Sequence, residues 1–422
     1  MSSRQHRLVV VIGLTLGTAT GVARAAGFDT PTLYSARHQG MGGTAIGYVG
    51  DPSATFHNPA GLQTTEGLEV LADFSPIFAR LDASPEQLST ARSKRSELIF
   101  APFFLLGASY RAREWLSVGL GIFPVASGGS SFEYSVPGTD QTTWDETKVV
   151  FVEASPVVSL NAPRDSVLPG RVAVGVGYRI NSLTFNRQKG DKDDPRTLDL
   201  TMKGMSFSGY RLGLQWAPTE AWSFGVVYRN RIEVTTRADE ITVFNLDATD
   251  ARFPFVLPAK VGWGGRYDAA GFAVAFDYEY AFQSQNDRQA LTGTLQGRQT
   301  PPIYNVYAWQ DAVTLRLGLE YGFEVGSARV PVRTGYIYDG AVTTKAYPSA
   351  AGTPPTPTHT ATLGAGYDRG RWQANVAITH RMGEVSIADE DLGQGCSFCA
   401  YAGDYRLRAT GLSFDFSARF DL

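Results

Sequence analysis

Residues 313–323 read V-T-L-R-L-G-L-E-Y-G-F. Val313, Leu315, Leu317, Leu319, Tyr321 and Phe323 fall on one parity, and Thr314, Arg316, Gly318, Glu320 and Gly322 on the other. Period two is the spacing of a strand whose faces meet different surroundings. Residues 272–282 repeat it, with Phe272, Val274, Phe276, Tyr278, Tyr280 and Phe282 against Ala273, Ala275, Asp277 and Glu279. One face wholly apolar and the other charged fits lipid outside and polar packing inside.

Working outward in this way predicts strands at 66–78, 98–111, 115–126, 148–162, 170–186, 202–217, 221–236, 255–267, 271–283, 309–323, 328–339, 358–368, 371–384 and 404–422. That makes about 14, joined alternately by long and short connections, with the long ones near 79–97, 127–147, 187–201, 237–254, 284–308, 340–357 and 385–403. The fold class is therefore all-β: a transmembrane antiparallel β-barrel. A soluble sandwich would not need loop lengths that alternate along the whole chain. An even strand number lets the last strand, with Leu412, Phe414, Phe416, Phe420 and Leu422 on one face, close on the first. Trp216, Trp222, Trp263, Tyr267, Trp309 and Trp372 fall near strand ends, as interfacial girdle residues do.

The remaining segments define the organisation. Residues 1–25 carry Arg4 and Arg7, an apolar stretch and an Ala-Arg-Ala end, the pattern of a secretory signal peptide. Residues 26–65 are glycine-rich and suit a plug inside the lumen, which barrel side chains alone would not fill, and 66–422 form the barrel. The 422-residue chain has a formal charge of −3, which argues against nucleic acid as a partner. Cys396 and Cys399 read as a loop disulfide, since zinc would want two further ligands and haem attachment a His where Ala400 stands. No cofactor, metal site or catalytic residue is expected: G-x-S-x-G, H-E-x-x-H and G-x-G-x-x-G are absent from the sequence. His57 and His380 are the histidines a hydrolase assembled from distant strands would draw on. On strand parity Arg179, Arg229, Arg316 and Lys260 face inward with Glu153, Asp277, Glu279 and Glu320, as a lumen ion-pair network rather than a carboxylate clamp.

Alone, Asn58-Pro59-Ala60-Gly61 is a turn signal. In context, between a signal peptide and the first strand, S-A-R-H-Q-G-M-G-G-T-A-I-G-Y-V-G-D-P-S-A-T-F-H-N-P-A-G-L at 35–62 resembles the N-terminal plug of the FadL/OmpP1/TodX family. Leu257-Pro258-Ala259-Lys260-Val261, Trp309-Gln310-Asp311 and the segment 359–367 resemble the same family. The resemblance implies a bacterial outer-membrane transporter of hydrophobic molecules, with long-chain fatty acids as the leading cargo, aromatic hydrocarbons such as toluene as the alternative, and a general porin or structural barrel as a further one. It implies passive, ligand-gated diffusion, a monomer surrounded by lipid and lipopolysaccharide, and a lateral opening where strand three kinks. Here that opening is expected around Gly119, Gly121, Phe123 and Pro124, because Pro donates no ladder hydrogen bond and Gly weakens pairing. The bland reading of the same stretch is strand-end punctuation. Strand two is apolar on both faces, and Phe100 and Phe104 are candidates for a hydrophobic path. Phe244, Phe253 and Phe255 are candidates for an outer capture site in a loop.

Overall fold

The computed structural model describes residues 34–85, 93–135, 142–191, 193, 197–243, 245–299, 301–350, 354–395 and 400–421. The expected signal segment, the first residues of the expected plug, Phe244, the Cys396 and Cys399 pair and Leu422 lie outside the described residues.

Alternation becomes a wall. Its strands are β1 (Leu68–Ala83), β2 (Ile99–Arg113), β3 (Leu116–Ser135), β4 (Thr142–Asn161), β5 (Arg171–Gly190), β6 (Leu198–Ala217), β7 (Trp222–Arg229, continued by Ile232–Val243), β8 (Leu246–Leu257, continued by Lys260–Ala269), β9 (Phe272–Ala281), β10 (Ala312–Val325), β11 (Ala328–Asp339), β12 (Thr358–Asp368), β13 (Trp372–Ile387) and β14 (Gly403–Phe420). Among the described residues these 14 strands close an antiparallel barrel. Closure is by β1 on β14, from Leu68↔Phe420 to Asp82↔Arg406. In β10, Leu317 and Phe323 are 45% and 50% exposed to the outside, while Arg316 and Glu320, on the other parity, are buried.

Several strands run past their expected ends. The connection expected at 237–254 is largely a hairpin, paired from Leu246↔Val243 to Leu257↔Ile232. Above the membrane the outward face needs no apolar side chains, so Glu233, Thr235, Arg237 and Asp239 hide the period while the backbone ladder continues. Residues 284–308 likewise hold strand pieces outside the ring, one of which, Arg288–Leu295, pairs with β8.

Inward parity assembles the expected ion-pair network. Glu153 accepts from Arg179 Nε at 2.7 Å and an Arg211 terminal nitrogen at 3.1 Å. Glu279 lies 3.5, 3.6 and 3.9 Å from Arg316, Arg229 and Lys260. Glu320 gathers Arg333 at 2.6 Å, Arg329 at 3.0 Å and Arg266 at 3.3 Å. These carboxylates are buried, so loss of one strands several guanidinium or ammonium groups. Glu153→Gln is expected to destabilise the barrel by about 3–5 kcal/mol, read as a lower urea midpoint in detergent micelles. Glu233→Gln, at an exposed pair with Arg231, is expected to change it by under about 0.5 kcal/mol.

Candidate transport path and plug

Inside the ring, residues 34–67 fold as the helix α1 (Ala36–Gly40) and two 3₁₀ turns, Pro52–Thr55 and Pro59–Thr64. Each turn is built alike. An Asx side chain caps it, with Ser53 N donating to Asp51 Oδ1 at 2.8 Å and Ala60 N to Asn58 Oδ1 at 3.2 Å, and Pro occupies the first position, where no N–H is needed.

Asn58 also pins the segment to the wall. Its Nδ2 donates to the Ile46 carbonyl at 2.9 Å and to Leu214 O of β6 at 3.1 Å. Pro59 lies against Gly175 and Gly213, and Ser159 donates to Ala60 O at 3.3 Å. Gly61 is fixed by space, since a Cβ there would stand 2.2 Å from Val49 Cγ1. The wall is shaped to match: a Cβ added at Gly213, Gly225, Gly318 or Gly335 would lie within 2.3 Å of Asn58 Oδ1, Ile46 O, Met41 O or Gly42 N respectively. Asp277 accepts from Ala45 N at 2.8 Å and Ile46 N at 3.0 Å, and Asp415 accepts from Ser35 at 2.8 Å.

Beside β3 the contacts become aromatic. Phe56 meets Tyr34 and Phe123 edge to face at 5.0 and 5.2 Å, Tyr34 Oη donates to the Pro124 carbonyl, and Arg211 donates to Thr55 O while its guanidinium faces both Phe56 and Phe123. His57 Nε2 donates to Tyr34 O at 2.9 Å. Burial, then His38 5.2 Å away, pushes the His57 imidazole well below its ordinary value, so it is held neutral. His380 is on the outer face, bonded to Thr410 at 3.0 Å, so the two histidines are not brought together.

The β2–β3 ladder runs from Arg113↔Leu116 to Leu106↔Ile122. Beyond that point β2 stays on β1, from Asp73↔Leu105 to Ala79↔Ile99, and β3 stays on β4 up to Ser135↔Thr142, with a register shift between Pro124 and Ala126. A cavity of about 660 Å³ lies where they part. Its inner lining includes Ile77, Ala101, Phe103 and Leu407, and its outer lining Phe100, Pro102, Phe104 and Val150; Pro124 borders it as well. Two expectations are corrected here. Gly119 and Gly121 lie below the divergence, paired with Ser109 and Gly107 and facing Leu62 and Thr55 of the plug; they are small because the plug is close. Phe123 also faces the plug. Phe100 and Phe104 have the outward parity of β2, while the inward apolar surface is made by Phe103 and Leu105.

A second cavity, of about 150 Å³, opens above the plug among Phe185, Phe253, Phe255, Leu291, Tyr307 and Trp309, with Arg187 paired to Asp145 at its edge. It shares Gly128 and Ser130 with the first. Phe253 and Phe255 belong to β8 rather than a loop, and Trp309, expected in the girdle, is buried inside, 5.1 Å from Tyr307. Tyr34, Phe56, Arg211 and the wall glycines were not singled out from the sequence; a lone Gly in the middle of an inward parity, as in L-G-L at 212–214, was the available signal.

Two outcomes test the seating. Gly225→Val is expected to displace the plug from a correctly assembled barrel and raise single-channel conductance in planar bilayers. Because the seated plug refuses a proton that a released His57 binds at its ordinary value of 6.5, seating is fully favoured above that pH and weakens as pH falls below it. The seating free energy is expected to fall by up to about 2 kcal/mol between about pH 7 and about pH 5, read as faster hydrogen exchange at the plug amides, and His57→Gln is expected to flatten the profile.

The model of the family described as outer membrane protein transport protein (OMPP1/FadL/TodX) matches residues 16–420. Among solved structures, the chain is similar to the Pseudomonas putida toluene transporter TodX, at 16% identity and a TM-score of 0.67, over 95% of this chain and 100% of that one. It is also similar to a Pseudomonas aeruginosa FadL homologue, at 16% identity and 0.64, over 94% and 100%. The Ralstonia pickettii toluene transporter TbuX gives 17% and 0.63, over 92% and 98%. A comparison with curated protein sequences finds no match. With a barrel wall, a seated N-terminal segment and a family model spanning nearly the whole chain, this protein belongs to the OMPP1/FadL/TodX family of outer-membrane transporters of hydrophobic compounds.

Proposed function

We propose that this protein takes up long-chain fatty acids by passive diffusion, receiving them in the aromatic cavity above the plug and releasing them sideways between β2 and β3. The observation that carries the reading is the coincidence of two features: a plug seated backbone to backbone on wall glycines, and a cavity reaching both faces of the wall where the β2–β3 ladder stops. A solute moving down its gradient needs no energy source. Apolar lining removes its hydration at both stations, and Gly128 and Ser130 line both cavities. The charged sugars of lipopolysaccharide, which resist apolar solutes, are bypassed. On this reading residues 26–65 act as the plug, Asn58 to Gly61 as its anchor, and the protein works as a monomeric channel rather than a catalyst.

A second reading has its own support. A cavity near 150 Å³ lined mainly by apolar side chains is of the size that accepts benzene, and TodX and TbuX are described as toluene transporters. A steadily conducting porin is disfavoured by the seated plug.

Labelled oleate and toluene are offered in parallel to cells lacking their own fatty acid transporter and expressing this protein at verified surface levels. Oleate uptake is expected; toluene uptake alone would move the cargo to the aromatic class, and uptake of neither would sink both readings. Ser127→Trp, which fills the wall cavity from β3, is expected to abolish uptake while conductance stays low. Normal uptake in an assembled Ser127→Trp barrel would refute sideways release.

A further inference from the structure

The inner wall of the 660 Å³ cavity carries a cation, Arg381 of β13, among Ile77, Ala79, Ala101, Phe103 and Leu407. Several buried guanidiniums of the lumen are hydrogen-bonded to carboxylates, as Arg179 is at 2.7 Å and Arg333 at 2.6 Å. Arg381 is not. Its Nε donates to Thr358 Oγ1 at 2.8 Å, and its nearest carboxylate oxygen, Asp339 Oδ2, is 3.8 Å from a terminal nitrogen, beyond hydrogen-bond reach. Asp339 spends its other oxygen on Thr314, at 2.9 Å. The side chain is 15% exposed, so the group is largely withdrawn from water with its fork of terminal N–H donors beside an apolar space. At the outer rim Lys148 is neutralised by Glu146 at 2.6 Å.

We infer that Arg381 is a headgroup site: it binds the carboxylate of an amphiphile whose apolar tail lies in the wall cavity. A guanidinium fork matches a carboxylate in two parallel hydrogen bonds, and an anion there relieves the cost of a charge beside apolar walls. The cavity volume lies within the range of about 300–1,000 Å³ usual for small-molecule sites. The site rests on the sideways-release reading and adds to it a residue that tells a charged cargo from a neutral one of the same length.

The test compares uptake of oleate and of uncharged methyl oleate by wild type, Arg381→Leu and Arg381→Lys, with assembly checked by the heat-modifiable migration of the folded barrel. Arg381→Leu is expected to lower oleate uptake by at least about tenfold, since both charge-assisted hydrogen bonds are lost, with methyl oleate unchanged; Arg381→Lys is expected to restore part of the loss. Equal loss of both esters and acids would make Arg381 structural only, and unchanged oleate uptake would remove the site. Should Arg381→Leu fail to assemble, Arg381→Gln gives the same two-substrate comparison. Ser127→Trp separates the two claims: if it leaves both substrates untouched, sideways release fails whatever Arg381 does, whereas a block of both with no selectivity change at Arg381 refutes the headgroup site alone.

Discussion

In hydrocarbon every backbone N–H and C=O must find a partner inside the protein, and the rest of this architecture follows from how that demand is met. Ring closure meets it through the β1–β14 ladder. It is relaxed at one seam of the described wall, where β2 and β3 part after Leu106↔Ile122. The sequence softens the cost there. Pro102 on β2 and Pro124 on β3 both border the cavity, and neither has an N–H to leave unpaired. β3 keeps its other ladder, to β4, across a register shift at Pro124, so the wall bends without losing both sets of bonds. Higher up, Phe132 and Tyr134 of β3 join Leu81, Tyr405 and Leu407 in a separate apolar cluster. β3 is thus held at both ends of the divergence, by this cluster above and by Tyr34 and Phe56 below.

That lower anchor couples the plug to the wall chemically as well as sterically. Arg211 is fully buried and touches all three parties: Glu153 on β4, the Thr55 carbonyl of the plug, and the Phe123 ring beside the β3 register shift. A guanidinium suits this position because its planar fork serves a carboxylate and a carbonyl while its face lies on aromatic rings. Movement of Phe56 away from β3 would therefore be felt by the charge network, and disturbance of that network by the plug.

The legible part of the sequence was the part under lipid constraint. Where outer residues must be apolar, as in β9 and β10, parity marks both the strands and the inward charges: Glu279 and Arg316 there, and Glu153 on β4, are buried on the inner face. Above the membrane that constraint ends, and residues 237–254 read as a loop although they are largely a hairpin. Position within the wall was harder still. Gly119 and Gly121 have the composition of a weak ladder, yet they are paired and small for the sake of Thr55 and Leu62; a glycine signals close approach without saying what approaches. Phe100 and Phe103 are equally apolar, and only the pairing of β2 with β1 decides which of them meets the lumen.

The energetics argue against a route straight through the plug. Releasing residues 39–62 from the wall breaks the Asp277 bonds to Ala45 and Ile46, the Asn58 bond to Leu214, the Thr362 bonds to Gly40 and Gly42, and the Gln39 bonds to Ser75 and Ser413. At about 0.5–1.5 kcal/mol for each neutral bond and about 1.5–3 kcal/mol for those to a carboxylate, the total is on the order of 10 kcal/mol. A ligand with micromolar affinity has about 8 kcal/mol of binding free energy altogether, and only the difference between its affinities for the seated and released forms can move the equilibrium. An apolar solute therefore lacks the means to unseat the whole plug. It has enough to shift one or two contacts, and those nearest the wall cavity are the Tyr34 bond to Pro124 and the packing of Phe56 on Phe123. If the cargo gates its own passage, it does so there, beside the divergence of β2 and β3, and not deeper in the seated segment.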